Sequence, residues 1–464
     1  MKTRASFPLG LILAAAVFAR SAAAAELPTD WMDPATGHRV IRLSTEPGSS
    51  TLYFHDNAYS QKGDKLIFNS PGGITIIDIS RLGTESPKPE VAVANGRGSY
   101  MSHRTREIYF VRGGGGRGAP PATPPAPAPA SAPTTTPTSA TSPDPFAVGG
   151  RGGTGGGEVF AYNYDTKQTR RVPHASRTLI NVDETFALAT TVAVDPTGKT
   201  QPPPKKAYVP QIERMFPGKK KEELSPDQIF AAEKEEGLAR RTLDPRSEAF
   251  IFIDLKSGEQ KTVGYQYGSL NHMQFSPTDP GLLLYCHEGT WHEVDRIWTI
   301  RTDGSGMTLR HKRTMDMEIA GHEFWSHDGR TIWFDLQTPR SEQFWIAGVN
   351  LDTGRETRYR VEQDWWSVHY NVSRDNKFFS GDGGDSTQVA FAKDGMWMNL
   401  FRPQPDGSLQ REKLVNMSKH NYVSARGGIE PNGSITPDGR WVVFSGNFHG
   451  ARHVYAVEIA KARK

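Results

Sequence analysis

The stretch SHDGRTIWF (326–334) joins a tight polar turn to an apolar, β-branched and aromatic run. It recurs along the chain as SQKGDKLIF (60–68), SHRTREIYF (102–110), SPTDPGLLLY (276–285), SRDNKFFSG (373–381) and TPDGRWVVF (436–444), with a weaker form in NVDETFALATT (181–191). Most copies run on into a second strand and a turn such as DLKSGEQ (254–260) or LDTGRET (351–357). The starts at 276, 326 and 373 lie 50 and 47 residues apart. Short strands punctuated by turns indicate an all-β fold. A period of roughly 40–50 residues with several strands per unit is the signature of a propeller blade. Seven units predict a seven-bladed β-propeller. The last unit ends in HVYAVEIA (453–460), and HRVIRLS (38–44) precedes the first. The early strand is expected to complete the last blade and close the ring, which leaves few bare sheet edges.

Composition supports one closed domain rather than several. Of 464 residues, 46 are glycine and 33 proline, as a turn-rich chain requires, while 10 Trp, 14 Tyr and 22 Phe supply core. The 55 Lys and Arg nearly cancel the 51 Asp and Glu, which excludes the basic footprint of a nucleic-acid binder. With 36% hydrophobic residues the chain does not read as an integral membrane protein. Lys2 and Arg4 precede a short apolar run from Pro8 to Ala19, and Ala23, Ala24 and Ala25 offer a cleavage site. This pattern predicts a signal peptide over 1–25 and a periplasmic or secreted address, since the run falls below the ~20 residues that span a bilayer. An uncleaved anchor is the alternative, and Arg20 argues against it. Cys286 is the one cysteine, so no internal disulfide forms, and it is read as a small buried hydrophobe.

Two segments stand outside the repeat. Residues 113–157 are Gly, Pro, Ala, Ser and Thr without apolar periodicity, and are expected to be a disordered insertion. Residues 197–245 form a second insertion. There Ser225, Pro226 and Gln228 supply an N-cap, a proline in the first turn and a capping-box partner, predicting a charged helix to about Arg240. The plain reading is a solvated surface helix; the sharper one is a lid over the active site.

The first strand of each blade lines the central channel. Counting back four residues from the repeated Ser or Thr in the last four units gives His272, His322, His369 and Asn432. Glu430 lies two residues before Asn432, hence on the same strand face. Imidazole, carboxylate and amide oxygen can all bind a divalent metal, and neutral histidine can serve as a general base. A second polar group, Cys286, His287, Glu288, His292, Glu293, Asp295 and Arg296, follows the fourth unit. There Arg296 can pair with a carboxylate.

At these residues the sequence resembles the oligogalacturonate lyases, a pectate lyase family 22-like group. The carriers are HMQFSPTDPGLLLYCHEGTWHEVDRIW (272–298), GHEFWSHDGRTIWFDLQ (321–337), SVHYNVSRDNKFFSGDGGD (367–385) and EPNGSITPDGRW (430–441). The likeness covers roughly 250–464, is thin over 26–250 and is absent from both insertions. It implies a seven-bladed propeller that cleaves short galacturonides by β-elimination in pectin catabolism with a divalent metal, typically Mn2+. It further implies His322 as base, Arg296 as the charge-neutralising group and His369 as a metal ligand. The remaining family ligands come from a Gln-x-x-His-x-His stretch, where this chain has Gly427, Glu430 and Asn432. Glu430 and Asn432 are harder donors, so Ca2+ or Mg2+ join Mn2+ as candidates. Typical members are cytoplasmic, whereas this chain carries an export pattern.

In the resulting expectation His369, Glu430 and Asn432 hold the metal, and Arg296 helps to neutralise the substrate carboxylate. His322 removes the C5 proton, while His272, Gln274 and His287 position a small acidic oligosaccharide. The competing class is a non-catalytic periplasmic propeller that binds a glycan or protein partner. A prolyl-oligopeptidase-type propeller would need a hydrolase domain with a Gly-x-Ser-x-Gly elbow, which the sequence lacks.

Overall fold

The computed structural model describes residues 28–112, 157–200, 208–243, 246–422 and 428–461. The export pattern at 1–25, nearly all of 113–157, and Gly427 lie outside the described residues. The strands form seven separate antiparallel sheets, one for each repeat unit, in a seven-bladed propeller. Blade 5 is representative, with strands Ile319–Trp325, Thr331–Gln337, Phe344–Asn350 and Glu356–Val361 from the inside outward. The repeated turn is explained by its hydrogen bonds. Ser326 Oγ donates to Asp328 and accepts from the Thr331 N–H, so one hydroxyl closes the hairpin. Thr436 does the same with Asp438 and Trp441 in blade 7. In blades 1 and 3 the innermost strand shrinks to isolated bridges, Ser50 to Asn69 and Tyr59 to Leu66 in blade 1 and Ile180 to Ala187 in blade 3.

Closure follows the sequence expectation. Blade 7 contains Ser434–Ile435, Trp441–Gly446 and His453–Glu458, and its next strand is Arg39–Arg42. Val40 faces Val457, Ile41 faces Ala456 and Arg42 faces Tyr455. The core lies between blades. Leu284 and Ile297 of blade 4, for example, share a buried cluster with Ile332, Phe334 and Ala347 of blade 5. Cys286, on the blade 4 strand Leu282–Glu288, is fully buried, as expected of a small hydrophobe.

The second insertion leaves the propeller within blade 3, between Phe186–Val192 and Ser247–Asp254. Its principal helix spans Pro226–Leu243. The capping box forms: Gln228 N–H donates to Ser225 Oγ, and Ser225 N–H donates to Gln228 Oε1. This is not the solvated surface helix of the plain reading. Ala231, Ala232, Glu235, Leu238 and Ala239 are buried, a helical stripe turned onto the propeller. No described helix is long and apolar enough to cross a membrane.

Candidate active site

The inner strands of blades 2, 4 and 5 share one irregularity. In blade 5 Gly321 faces Asp335 and Phe324 faces Trp333, so three steps on the inner strand match two on its neighbour. Blade 4 repeats this between Asn271 and Gln274, and blade 2 between Arg97 and Tyr100. Each is a β-bulge, which re-aims the extra side chain. The residue at the bulge takes left-handed backbone: His272 at φ +46°, His322 at φ +50° and Gly98 at φ +57°. Asn432 adopts φ +52° ahead of the inner strand of blade 7. Such conformations cost non-glycine residues about 1–3 kcal/mol and collect at functional sites. The register read from the sequence is therefore a real structural register.

The bulges at His272 and His322, and the start of the blade 6 inner strand at His369, bring three imidazoles into one group of rings. His322 and His369 lie 4.9 Å apart between ring centroids. Tyr53 contacts both His272 and His369, at 5.6 and 5.2 Å, and Phe54 stacks on His369 at 4.6 Å. His369 is oriented from behind. Its N–H and its Nδ1 donate to the two oxygens of Asp382, each at 2.8 Å. Its Nε2 has no hydrogen-bond partner and faces Glu430 Oε2 at 3.7 Å. Burial opposes a charge on His369, yet the Asp382 and Glu430 carboxylates outweigh it and raise its pKa.

His322 sits on the wall of a pocket of about 570 Å3, counting the space open to solvent, with Lys234, Trp291, Asp335, Trp366 and Glu430. Its Nδ1 has no partner. Removal from water, with His369, His272 and Lys234 nearby, pushes its pKa well below the usual range, so it is held neutral. The Trp291 ring packs on it at 4.9 Å. Gly321 permits this, because any Cβ there would collide with the indole. Asp335 is buried and accepts from Trp366 Nε1 and Gln337 Nε2, but burial still pushes it up to about 7.

The remaining expected residues divide. Arg296 is 2% exposed, and its guanidinium lies 4.0 Å over the Trp291 ring while Nη1 donates to Gly289 O. Trp291, not Arg296, forms the pocket wall. Gln274 is buried and donates to the backbone oxygens of Glu323 and His272, so it braces two bulges. His287 is bound to Tyr267 O at the end of a blade 3 strand. Neither Gln274 nor His287 reaches the pocket that His322 lines. Asn432 has its amide committed locally: Oδ1 accepts from Phe54 N–H and Nδ2 donates to Glu430 O.

Sequence reasoning missed Asp382, Asp335, Tyr53, His55, Lys234 and Glu235. Counting back four from Ser60 lands on Asp56, one position beyond His55. Asp382 stood in plain view in the GDGGD run (381–385). Glu323 was quoted only as part of HEFW. It is buried with both oxygens unpartnered, and burial raises its pKa against the pull of Arg296.

Among the described residues, no three His, Cys, Asp or Glu side chains converge as a metal cage. Two donors do meet. An imidazole nitrogen without a partner, oriented by Asp382 and faced by Glu430, fits one edge of a divalent-cation site. Asn432 lies beside them with Oδ1 accepting once, from the Phe54 N–H at 3.3 Å, and Nδ2 donating to Glu430 O.

Residues 243–462 match the family described as Oligogalacturonate lyase. An oligogalacturonide lyase of Pectobacterium atrosepticum is 27% identical over 217 residues, and an oligogalacturonate lyase of Dickeya dadantii is 28% identical over 222 residues. Each match takes in 45% of this chain and 55% of the relative, so the chain spans about half the length of these curated relatives. Among solved structures, an oligogalacturonate lyase in complex with manganese superposes with TM-score 0.63 at 17% identity, over 93% of this chain and 96% of that one. An oligogalacturonate lyase from Vibrio parahaemolyticus gives TM-score 0.60 at 17% identity, over 94% and 97%. These structures share the fold. The resemblance read from 272–298 and 321–337 is borne out.

Proposed function

We propose that this propeller, whose C-terminal half matches the oligogalacturonate lyases, cleaves short oligogalacturonides by β-elimination. One observation carries the reading: His322, on the pocket wall, stands 4.9 Å from His369, whose orphaned Nε2 faces Glu430. Removing the C5 proton of a uronate builds charge next to a carboxylate that is already negative. A base must therefore work beside concentrated positive charge. His322 accepts the C5 proton on its imidazole, with Trp291 holding the ring in place. The C5–H electrons form the 4,5 double bond as the C4–O bond breaks, and the departing 4-oxygen takes a proton from solvent, giving a 4,5-unsaturated uronate. Arg296 contributes its fixed charge from behind the Trp291 ring rather than by contact.

His369 and Glu430 would hold a divalent cation, which when bound neutralises carboxylate charge beside the reacting carbon. One imidazole with one carboxylate suits Mn2+ better than Ca2+ or Mg2+, which prefer oxygen alone. The manganese in the superposed lyase supports that choice. The test is a lyase assay on di- and trigalacturonate, with EDTA and then with Mn2+ restored. EDTA-sensitive formation of the unsaturated product is expected; no turnover of any uronide under either condition would overturn the reading. We further propose a periplasmic or secreted protein, from the pattern at 1–25. Fractionation and the N-terminal residue of the mature chain test it, and an N-terminus near Glu26 is expected.

A further inference from the structure

The repeated turn has a second regularity. In six of the seven units the residue after its Ser or Thr is Gln61, His103, Pro277, His327, Arg374 or Pro437. All six line one cavity of about 910 Å3, counting the space open to solvent. In blade 5 the turn follows the inner strand Ile319–Trp325, whose other end borders the pocket of His322. The cavity therefore occupies the opposite mouth of the channel. His322 and His327 are five residues apart, or about 15 Å of strand at roughly 3.3 Å per residue. The two pockets share no lining residue.

Charge at this far mouth is unbalanced. Blades 2, 5 and 6 supply His103, His327 and Arg374. Partial removal from water lowers the pKa of Arg374, and among the described residues no carboxylate acts against it. Burial, with His327 and Arg374 nearby, pushes His103 down to about 4. Burial and Arg374 also lower His327, although Val372 O and Asp328 pull the other way. Asp328 is the one carboxylate on this wall among the described residues. Its oxygens already accept from Ser326 Oγ, the Arg330 N–H and Asn376 Nδ2. Asp375 and Asp438, in the adjoining turns, accept from Ser373 Oγ and Thr436 Oγ1 of those same turns. A guanidinium and two imidazoles thus meet at one cavity, and each opposes positive charge on the others. An anion relieves that opposition: it pairs with the guanidinium and lets the imidazoles take up protons. Tyr59, Ile435 and the two prolines add apolar wall, the usual setting for a small ligand held by a few polar groups.

We infer that the mouth of the channel opposite the catalytic pocket is a second ligand site, where Arg374, His103 and His327 bind an oxyanion, a carboxylate or a phosphate, on a molecule of about a sugar's size. This site stands apart from the lyase reading, because the two pockets have no wall in common.

The test titrates galacturonate and inorganic phosphate separately into the full-length protein by calorimetry, in EDTA and at fixed ionic strength. Wild type should bind at least one of them, and Arg374→Met should weaken that binding about tenfold or more. Galacturonate alone marks a sugar-acid site and phosphate alone a free-phosphate site; either supports the inference. The ring pKa of His103, followed by NMR, should rise from about 4 when the anion is bound. Turnover of trigalacturonate should be the same in Arg374→Met as in wild type, and a melting curve shows that the variant folds. Wild type that binds neither anion, or a folded Arg374→Met that binds as tightly as wild type, would overturn the site. A wild type that binds the anion and cleaves no uronide would overturn the lyase reading and leave this site standing.

Discussion

In blade 2 the extra residue of the inner strand is Gly98, and in blade 5 it is His322. Their backbones nearly coincide, at φ +57° and +50°. Gly98 occupies this conformation without strain and has only distant neighbours, the nearest about 3.9 Å from where a Cβ would be. His322 holds the same shape against its own preference, with Trp291 on one side and His369 on the other. The propeller thus provides a bulge as routine architecture, and chemistry depends on which blades place an imidazole in it. Among the described residues, blade 5 also acquires cover that blade 2 lacks, in the helix Pro226–Leu243.

The largest effect should come from making blade 5 like blade 2. His322→Gly keeps the left-handed backbone and removes the base. It is expected to lower lyase activity about 10²–10⁴-fold while the unfolding midpoint stays level or rises. Product absorbance and a melting curve read both; a variant still active near wild-type level would remove His322 from the mechanism.

Next comes the helix that distinguishes the two blades. Its buried Glu235 accepts from Arg340 Nη1 at 2.8 Å and from the Trp291 N–H at 3.2 Å. Glu235→Gln leaves Arg340 buried without its anion, and loss of one partner of a buried pair costs about 3–5 kcal/mol. Amide exchange should quicken selectively over Pro226–Leu243 and around Trp291. Unaltered protection there would mean that the ion pair does not anchor the helix.

A smaller effect should appear at the joint between blades 4 and 5. His311 is buried between Glu318 and Glu356, at 2.7 Å from each. Burial disfavours its charge, but the two carboxylates raise its pKa to about 8. Glu318, despite burial, is drawn down to about 2 by His311 and Thr314. A raised histidine pKa means stability that is full below its unfolded value of about 6.5 and lost as pH climbs through about 8. The lowered Glu318 works oppositely, with stability present above about 4.5 and lost as pH falls toward about 2. The joint should therefore be strongest between about pH 4.5 and 6.5. His311→Gln should erase about 2 kcal/mol of stability that wild type has at pH 6 and lacks near pH 9. Denaturant curves at the two pH values decide; an equal loss at both would refute the titration.

The smallest effect belongs to blade 2. Asparagine tolerates left-handed backbone, so Gly98→Asn should cost under about 1 kcal/mol and leave activity intact. A large loss of activity would show that blade 2 takes part in the chemistry.

These contrasts also explain what the sequence made legible. The Ser-x-Asp-Gly turns are local hydrogen-bond devices, so every blade announced itself wherever the turn was complete. The column His272, His322, Asn432 could be read because one left-handed residue recurs at one distance from that turn. Blade 1 lacks a regular inner strand, so His55 fell out of register and was missed. Lys234 and Glu235 were beyond reach for a different reason. They enter the site from an insertion that follows no repeat, and only tertiary packing turns their helix inward. Gln274 and His287 shared the blade 4 segment with His272, but the bulge between Asn271 and Gln274 and a backbone acceptor at Tyr267 turn them elsewhere.

The mixed last blade has a consequence for the order of folding. His38 Nδ1 donates to Glu458 O across 420 positions of sequence, and Val40 pairs with Val457 beside it. A chain that emerges N-terminus first holds Arg39–Arg42 paired only with Asp30–Met32, its other edge bare until His453–Glu458 arrives. Local hairpins can form early, whereas this pairing carries the full entropy of the longest loop in the molecule. Ring closure is then the last event, timed by the arrival of the C-terminal strand. Truncation at either end would leave an exposed β edge rather than a shorter propeller, so the two termini stand guard over each other against aggregation.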